Sequence, residues 1–376
     1  RVLTINGTSP ADTQFDSNVV MPFSQKSSRL RINTAVNNYD DNFQHTQNPE
    51  TSDSKFDPEF EKAWNHEFGF SLNDMRLFID SLEDIGLNRK LAVFRIKQNE
   101  IYSLISSELC RDIVERILEA LVLKPRQSWR TIPEGYLEKD IQLWRFRRQL
   151  SSVRRPLFQI DSSTNPTLFV VPGLIRESIS YIVEGFYESA FPYRQLRSPQ
   201  MQQWYGTRAN KRGGDFEKQV LEKIQSLDWN TAKLGIEVKE LIGRKNDPEF
   251  GDISRFGDVD VLAWNESANR VLVIECKHLH YHKTTGEIAE QLSDYRGQLK
   301  TNGKPDDLLK HLNRIKLLKA RRKEFCKSIR VNEDTNIEGW VLFKNPVPML
   351  YAWKEFESKT QIATFDDIEI LLNKNE

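Results

Sequence analysis

Apolar residues recur at helical spacing through the first half of the chain and gather into short uninterrupted runs in the second. Ile113, Ile117, Leu118 and Leu121 share one helix face. Ser71 with Asp74 makes a capping box for a helix running through Leu82. Pro172-Gly173 precedes a helix predicted over Leu174 to Tyr187, and Arg154–Ile160 with Thr167–Val171 read as a hairpin across the Asp161–Pro166 turn. Residues 55–200 therefore predict a mainly helical accessory domain whose small hairpin resembles a winged-helix module. Residues 1–54 are rich in Asn, Ser, Thr, Asp and Gln and predict a flexible segment, with one short strand over Leu30–Val36.

From residue 201 onward helical and strand patterns alternate. A helix is expected from Gly213-Gly214-Asp215 to Leu227, and a strand over Lys233–Leu241. Two apolar runs follow, Gly257-Asp258-Val259-Asp260-Val261-Leu262-Ala263-Trp264 and Val271-Leu272-Val273-Ile274-Glu275-Cys276-Lys277, joined by a hairpin loop at Asn265–Arg270. Ile288, Leu292 and Leu299 define the next helix; Leu308, Leu312, Ile315, Leu318, Phe325 and Ile329 define one long amphipathic helix to Arg330. Gly339–Phe343 reads as a strand ended by Pro346 and Pro348, and Asp366–Leu372 as a last helix. The fold class is α/β: a mixed sheet flanked by helices in residues 201–376, preceded by the helical domain.

Composition narrows the partners. The 376 residues suffice for two domains, and 54 basic against 54 acidic residues give no global attraction to polyanions. Cys110, Cys276 and Cys326 form no metal or disulfide pattern and suit a reducing cytoplasm. No apolar run reaches the ~20 residues of a transmembrane helix, and no secretory signal is visible, so no membrane partner is expected. A cytoplasmic chain would not use the sequon Asn6-Gly7-Thr8, and Gly173 stands outside any phosphate-binding loop, so ATP hydrolysis is not expected. The chain opens on Arg1 rather than Met, as a fragment, a processed product or a trimmed chain would.

Candidate chemistry lies on the two apolar runs. Side chains alternate faces along a strand, so Val271, Val273, Glu275 and Lys277 share one face, while Asp258 and Asp260 point opposite to Val259 and Val261. Continuous apolar runs suit strands covered on both faces. Acidic groups at the ends of such strands are costly to bury unless paired or metal-bound. A divalent cation between Asp260 and Glu275 meets that need, and hard oxygen donors favour Mg2+, with Mn2+ as a substitute. Lys277 is placed to orient or deprotonate a water, or to stabilise developing negative charge. The plain alternative is an antiparallel hairpin with ordinary polar ends.

Asp260 followed by Glu275-Cys276-Lys277 resembles the PD-(D/E)xK nuclease superfamily, which has the restriction-endonuclease-like fold. The Gly-Asp-Val-Asp-Val form is similar to its Mrr-like and RecB-like branches. Glu217 matches the acidic residue that the family often carries on an earlier helix, and Gln291 with Tyr295 resembles the Gln-x-x-x-Tyr motif, four residues apart on one helix face. The resemblance covers about Gly213 to Leu372; the family's proline before the first aspartate is missing, with Gly257 or Val259 nearby. It implies Asp260, Glu275 and the Cys276 carbonyl as metal ligands, Glu217 completing the shell directly or through water, and Lys277 positioning the attacking hydroxide. Asp258 is assigned to turn capping.

The function implied is a metal-dependent DNA endonuclease of a bacterial restriction or anti-phage system, acting in a larger defence complex or as a homo-oligomer. The alternatives are an exonuclease, an RNA nuclease, or a catalytically inactive nucleic-acid-binding scaffold. The basic face of the Leu308–Arg330 helix, with Lys310, Arg314, Arg321, Arg322 and Lys323, suits phosphate contact; its plain alternative is a solvated helix. His278, His280 and His282 invite a zinc site but are assigned to the loop leaving the strand. Trp144-Arg145-Phe146-Arg147-Arg148 mixes aromatics with cations, as nucleic-acid surfaces do; it is read instead as a helix with core aromatics and solvated arginines.

Overall fold

The computed structural model describes residues 16–28, 57–227, 229, 231–282, 284–352 and 360–373. The expected strand Leu30–Val36 and the Asn6 sequon lie outside the described residues. The chain divides into two compact units, with the boundary between residues 210 and 211; the N-terminal 16–28 belongs with the second.

The first unit is built on α1 (Pro58–Phe68), α2 (Leu72–Arg89), β1 (Phe94–Lys97), α3 (Gln98–Ile105), α4 (Arg111–Leu121), β2 (Val122–Leu123), α5 (Glu138–Ile141), β3 (Leu157–Gln159), β4 (Thr167–Val170) and α6 (Pro172–Tyr187). The Ser71 capping box forms: Asp74 N donates to Ser71 Oγ at 3.0 Å, and Ser71 N donates to Asp74 Oδ2 at 2.7 Å. Helix α4 buries Val114, Ile117, Leu118 and Leu121 against Phe60, Trp64, Phe78 and Phe186. Each such side chain contributes about 1.5–3 kcal/mol by leaving water. The expected hairpin is present as antiparallel β3 and β4, and β1 and β2 extend it to four strands in the order β1-β4-β3-β2. Strand β1 escapes a helical reading because only Phe94 and Ile96 alternate with exposed neighbours, too few to set a period. The expected helix over Trp144–Arg148 does not form. The segment is a series of turns, with Arg145 stacked on Trp144 at 4.4 Å and Phe146 edge-on to Tyr181.

A long helix, α7 (Pro199–Gln225), runs from one unit into the other. It starts before the expected Gly213, because Met201, Trp204 and Tyr205 already bury a helix face. A glycine in a helix costs only about 1 kcal/mol relative to alanine, which this packing outweighs.

The second unit continues with β5 (Thr231–Glu237), α8 (Val238–Ile242), β6 (Asn246–Asp247), β7 (Gly251–Asp252), β8 (Asp258–Asn265), β9 (Arg270–Lys277), α9 (Thr285–Ser293), α10 (Asp307–Ala320), α11 (Arg322–Ile329), β10 (Asn336–Phe343), α12 (Met349–Ala352), β11 (Gln361–Thr364) and α13 (Ile368–Asn373). Its five-stranded mixed sheet has the order β11-β10-β9-β8-β5; β9–β10 and β10–β11 are parallel, the other pairs antiparallel. Helices cover both faces. Val271, Val273 and Ile337 pack with Ile315, Leu318 and Phe325, while Leu272, Ile274 and Trp340 pack with Phe216, Val220 and Ile368. This double burial accounts for the unbroken apolar runs of β8 and β9.

Four expectations are corrected here. The strand over Lys233–Leu241 ends at Glu237, because Val238, Leu241 and Ile242 bury a helical turn that Gly243 closes at φ 71°. The helix through Leu299 ends at Ser293, leaving Leu299 66% exposed in a bridge to Pro305. The Leu308–Arg330 helix is two helices, broken at Arg321 (φ −111°, ψ 40°), whose guanidinium is held by Asp247 and Glu249. Residues 16–28 are helical rather than loose, and Val19 and Phe23 are buried with Ile288, Val341 and Phe343.

Candidate active site

Strands β8 and β9 pair in register from Val261↔Ile274 to Asn265↔Arg270, and the ladder stops short of Asp260 and Glu275. On the other side of β8, Leu234↔Val261 and Ile236↔Val259 pair with β5, leaving Gly235 and Asp260 between them. Gly235 sits at φ 59°, a conformation that L side chains rarely adopt. The pleat breaks there. Val259 packs with Val238 and Leu262, whereas Val261 packs with Ala263 and Ile274, so the two valines do not share a face as simple alternation requires. This break frees Asp260 to lie across the strand gap, where Cys276 N donates to its Oδ2 at 2.7 Å.

Glu275 is 13% exposed at its side chain and is paired at both oxygens. Lys277 Nζ lies 2.5 Å from Oε1, and Arg314 Nη1 donates to Oε2. Arg314 also donates from Nε to the Phe256 carbonyl at 3.1 Å, tying α10 to the turn that ends at Gly257 (φ 68°) and launches β8. Burial raises Glu275's proton affinity, but Lys277 and Arg314 outweigh it and hold the carboxyl below its ordinary range. Asp260 goes the other way: burial, then the Glu275 charge, push it up, against the Cys276 N–H and Lys277. Among the described residues its Oδ1 has no hydrogen-bond partner.

Glu217, on α7, is raised by burial, then by the charge of Asp258, with Lys277 and Glu275 also acting on it; it belongs to the same electrostatic cluster. Asp258 is the exposed first residue of β8, beside Glu237 in register. For Lys277 burial opposes the charge, but Glu275, Asp260 and Asp307 outweigh it and keep the ammonium protonated. Cys276 is buried, and burial pushes its thiol far up.

Gln291 and Tyr295 do not share a helix face, because α9 ends at Ser293. Both are buried: Tyr295 packs edge-on to Phe343, and Gln291 Oε1 has no partner among the described residues. His311 was not singled out by any motif. It is 1% exposed, has no partner at either ring nitrogen among the described residues, and burial pushes it down to about 3, so it is neutral. It lies over Gly339, where an added Cβ would stand 3.0 Å from His311 Nε2, and it feels Glu275, Arg314 and Lys277.

The three histidines after Lys277 do not converge. His278 faces Arg212 at 3.1 Å and is pushed by burial down to about 4, while His282 lies 4.0 Å from Glu287. Among the described residues no three His, Cys, Asp or Glu side chains form a ready-made metal cage. The Asp260 and Glu275 carboxylates are hard oxygen donors of the kind a divalent cation takes. Two carboxylates crowd one desolvated spot, one of them with a free oxygen, and the orphaned His311 lies alongside. Holding a cation at Glu275 requires Arg314 to yield Oε2.

The basic residues separate by type. Arg314 is buried, Arg321 grips Asp247 through two bonds of 2.8 Å, and Arg322 donates to the Glu333 and Thr335 carbonyls at 2.8 and 3.1 Å. Lys310 pairs with Asp307 at 2.7 Å. Lys323 is exposed, and with Lys316, Lys319 and Lys327, also exposed, it recurs at three- and four-residue spacing along α10 and α11. None of these four lysines has an ion pair among the described residues.

The second unit is thus an α/β sheet protein with an acid–acid–lysine cluster at the ends of two adjacent strands. The model of the anti-phage protein Upx-like family matches residues 11–369, and the chain belongs to that family, which gives it a role in defence against phage. No curated protein and no solved structure matches it. Among the described residues no helix is long and apolar enough to cross a membrane.

Proposed function

We propose that the chain is a metal-dependent nuclease of the PD-(D/E)xK superfamily that defends its host by hydrolysing phosphodiester bonds, with DNA as the substrate. The observation that carries this reading is the meeting of Asp260 with Glu275 and Lys277 at a break in the sheet pairing, where Asp260 is held short of positive charge. Asp260, Glu275 and the Cys276 carbonyl would hold Mg2+, with Glu217 completing the shell. The ion supplies Lewis acidity to the scissile phosphate and lowers the pKa of a bound water. The Lys277 ammonium, favoured by Glu275, Asp260 and Asp307, would orient the attacking oxygen and stabilise the charge growing on the phosphoryl oxygens. Glu275 holds the Lys277 ammonium in place for that task.

Nicking of supercoiled plasmid in Mg2+ tests this. Wild type is expected to nick, and Glu275→Ala and Lys277→Ala to lose about 10²–10³-fold in rate, the usual cost of one transition-state contact. Equal behaviour of all three proteins in Mg2+ and Mn2+ sinks the enzyme. Linear DNA and RNA in the same assay separate an exonuclease or an RNA nuclease. One observation favours a second reading, a non-catalytic nucleic-acid-binding protein: Glu275 already has both oxygens paired, as a purely structural ion network would.

A further inference from the structure

The first unit holds a cavity of about 100 Å³ that the proposed reaction does not use. Its lining includes Arg116, Arg154, Arg155 and Arg197, with only Glu67 and Glu119 as acids. Glu67 is spent on backbone: its oxygens accept from Arg197 N at 2.9 and 3.1 Å and from Ser198 N at 2.8 Å, at the start of α7. None of the four arginines has an ion pair among the described residues.

Arg154 is the telling member. Its guanidinium lies 3.9 Å from the centre of the Phe191 ring, and Nη1 makes one long bond of 3.4 Å to Gln195 Oε1. Gln195 Nε2 in turn donates to buried Asp140 at 3.0 Å, so the nearest carboxylate reaches Arg154 only through an amide. A guanidinium has five N–H donors, and among the described residues Nη1 alone of the Arg154 guanidinium nitrogens has an acceptor. Burial pushes the Arg154 pKa down to about 10, so the group still carries its charge at neutral pH. Trp64, on the same lining, is 1% exposed and its Nε1 has no acceptor among the described residues. Trp64, Phe186 and Phe191 contact one another in succession, so an aromatic wall runs from that indole to Arg154. A buried donor without an acceptor is rare in folded proteins, and the Trp64 indole together with the underused Arg154 guanidinium on one cavity points to an acceptor-rich guest.

We propose that this cavity binds a small phosphate-bearing ligand, with Arg154 and the Trp64 indole as donors and exposed Arg197 on its rim; Arg155, already donating to the Glu119 and Val122 carbonyls at 2.6 and 3.1 Å and to the Tyr136 hydroxyl at 2.6 Å, adds positive charge. Four arginines against two glutamates leave two positive charges, which a phosphate dianion balances. The guanidinium fork matches phosphate geometry. A single water needs about 10–15 Å³ of such space, so the cavity has room for a phosphate and a small organic remainder, not for a polymer.

Calorimetry on the full chain tests this with inorganic phosphate, adenosine monophosphate and, as a carboxylate control, citrate at matched ionic strength. A phosphate probe is expected to bind saturably at one site and to raise Tm. Stronger binding of the nucleotide identifies an organic phosphate ester as the ligand; equal binding identifies free phosphate. Arg154→Met is expected to abolish binding. Arg197→Ala, at an exposed side chain, is expected to weaken it about tenfold or more while leaving the ligand-free Tm unchanged. No saturable binding at millimolar phosphate overturns the proposal. So does citrate binding as well as phosphate, or Arg197→Ala binding like wild type. Nuclease activity enters none of these readouts, so the site stands or falls independently of the reaction.

Discussion

Asp260 and Glu275 are chemically alike but electrostatically opposed. Glu275 is stabilised as an anion by Lys277 and Arg314; Asp260 has one N–H and an anionic neighbour. Its folded carboxyl is held above the ordinary 3.8, so its contribution to stability is fully present below that value and is lost as pH rises through the folded value. Asp260→Asn keeps an acceptor for Cys276 N and removes the charge. In EDTA at pH 8 it is expected to melt about 2–4 °C above wild type, with the gain shrinking toward pH 4, while Mg2+-dependent nicking disappears. Thermal melts at both pH values check this; a variant less stable than wild type at pH 8 would show that Asp260 is a structural ion partner instead. A residue that costs stability where it sits is the usual mark of a working site.

Among the elements, α10 and α11 divide their charges by role. Arginines point into the protein and fasten α10 to Phe256 and Glu275, and its end to Asp247; lysines line the outside. If that lysine stripe meets DNA, replacing Lys316, Lys319, Lys323 and Lys327 with Ala together lowers affinity and reduces the slope of log K against log salt by about 1 per lysine. Binding titrations over a salt series read this out, and an unchanged slope removes the stripe from the interface. The composition of the helices was legible in the sequence, but which cations would be consumed inside was not. Asp247 and Glu249 lie some seventy positions from Arg321, a distance no local pattern reports. The strands of the site were legible because double burial leaves unbroken apolar runs. The pleat break was not, since it depends on Gly235 in a neighbouring strand. His311 carried no signal either: a lone histidine on an apolar helix face reads as core. Gln291 and Tyr295 are buried but lack the expected shared face, because Asp294 closes the helix between them.

For the molecule as a whole, equal numbers of acids and bases conceal a site gathered from four separate stretches of chain around Glu217, Asp260, Glu275–Lys277 and Arg314. Defence is the readout that needs all of it. Cells expressing the wild-type chain with whatever partners it uses are expected to lower phage plaquing, and Glu275→Ala or Lys277→Ala, expressed at equal level, to restore it. Full protection by both variants would mean that defence does not run through this cluster. The most direct test of the site itself is a crystal soaked in Mn2+. The expected result is an anomalous peak about 2.0–2.6 Å from carboxylate oxygens of both Asp260 and Glu275, with Arg314 withdrawn from Glu275. A map with no peak there, and Glu275 still clasped by Arg314 and Lys277, would contradict it.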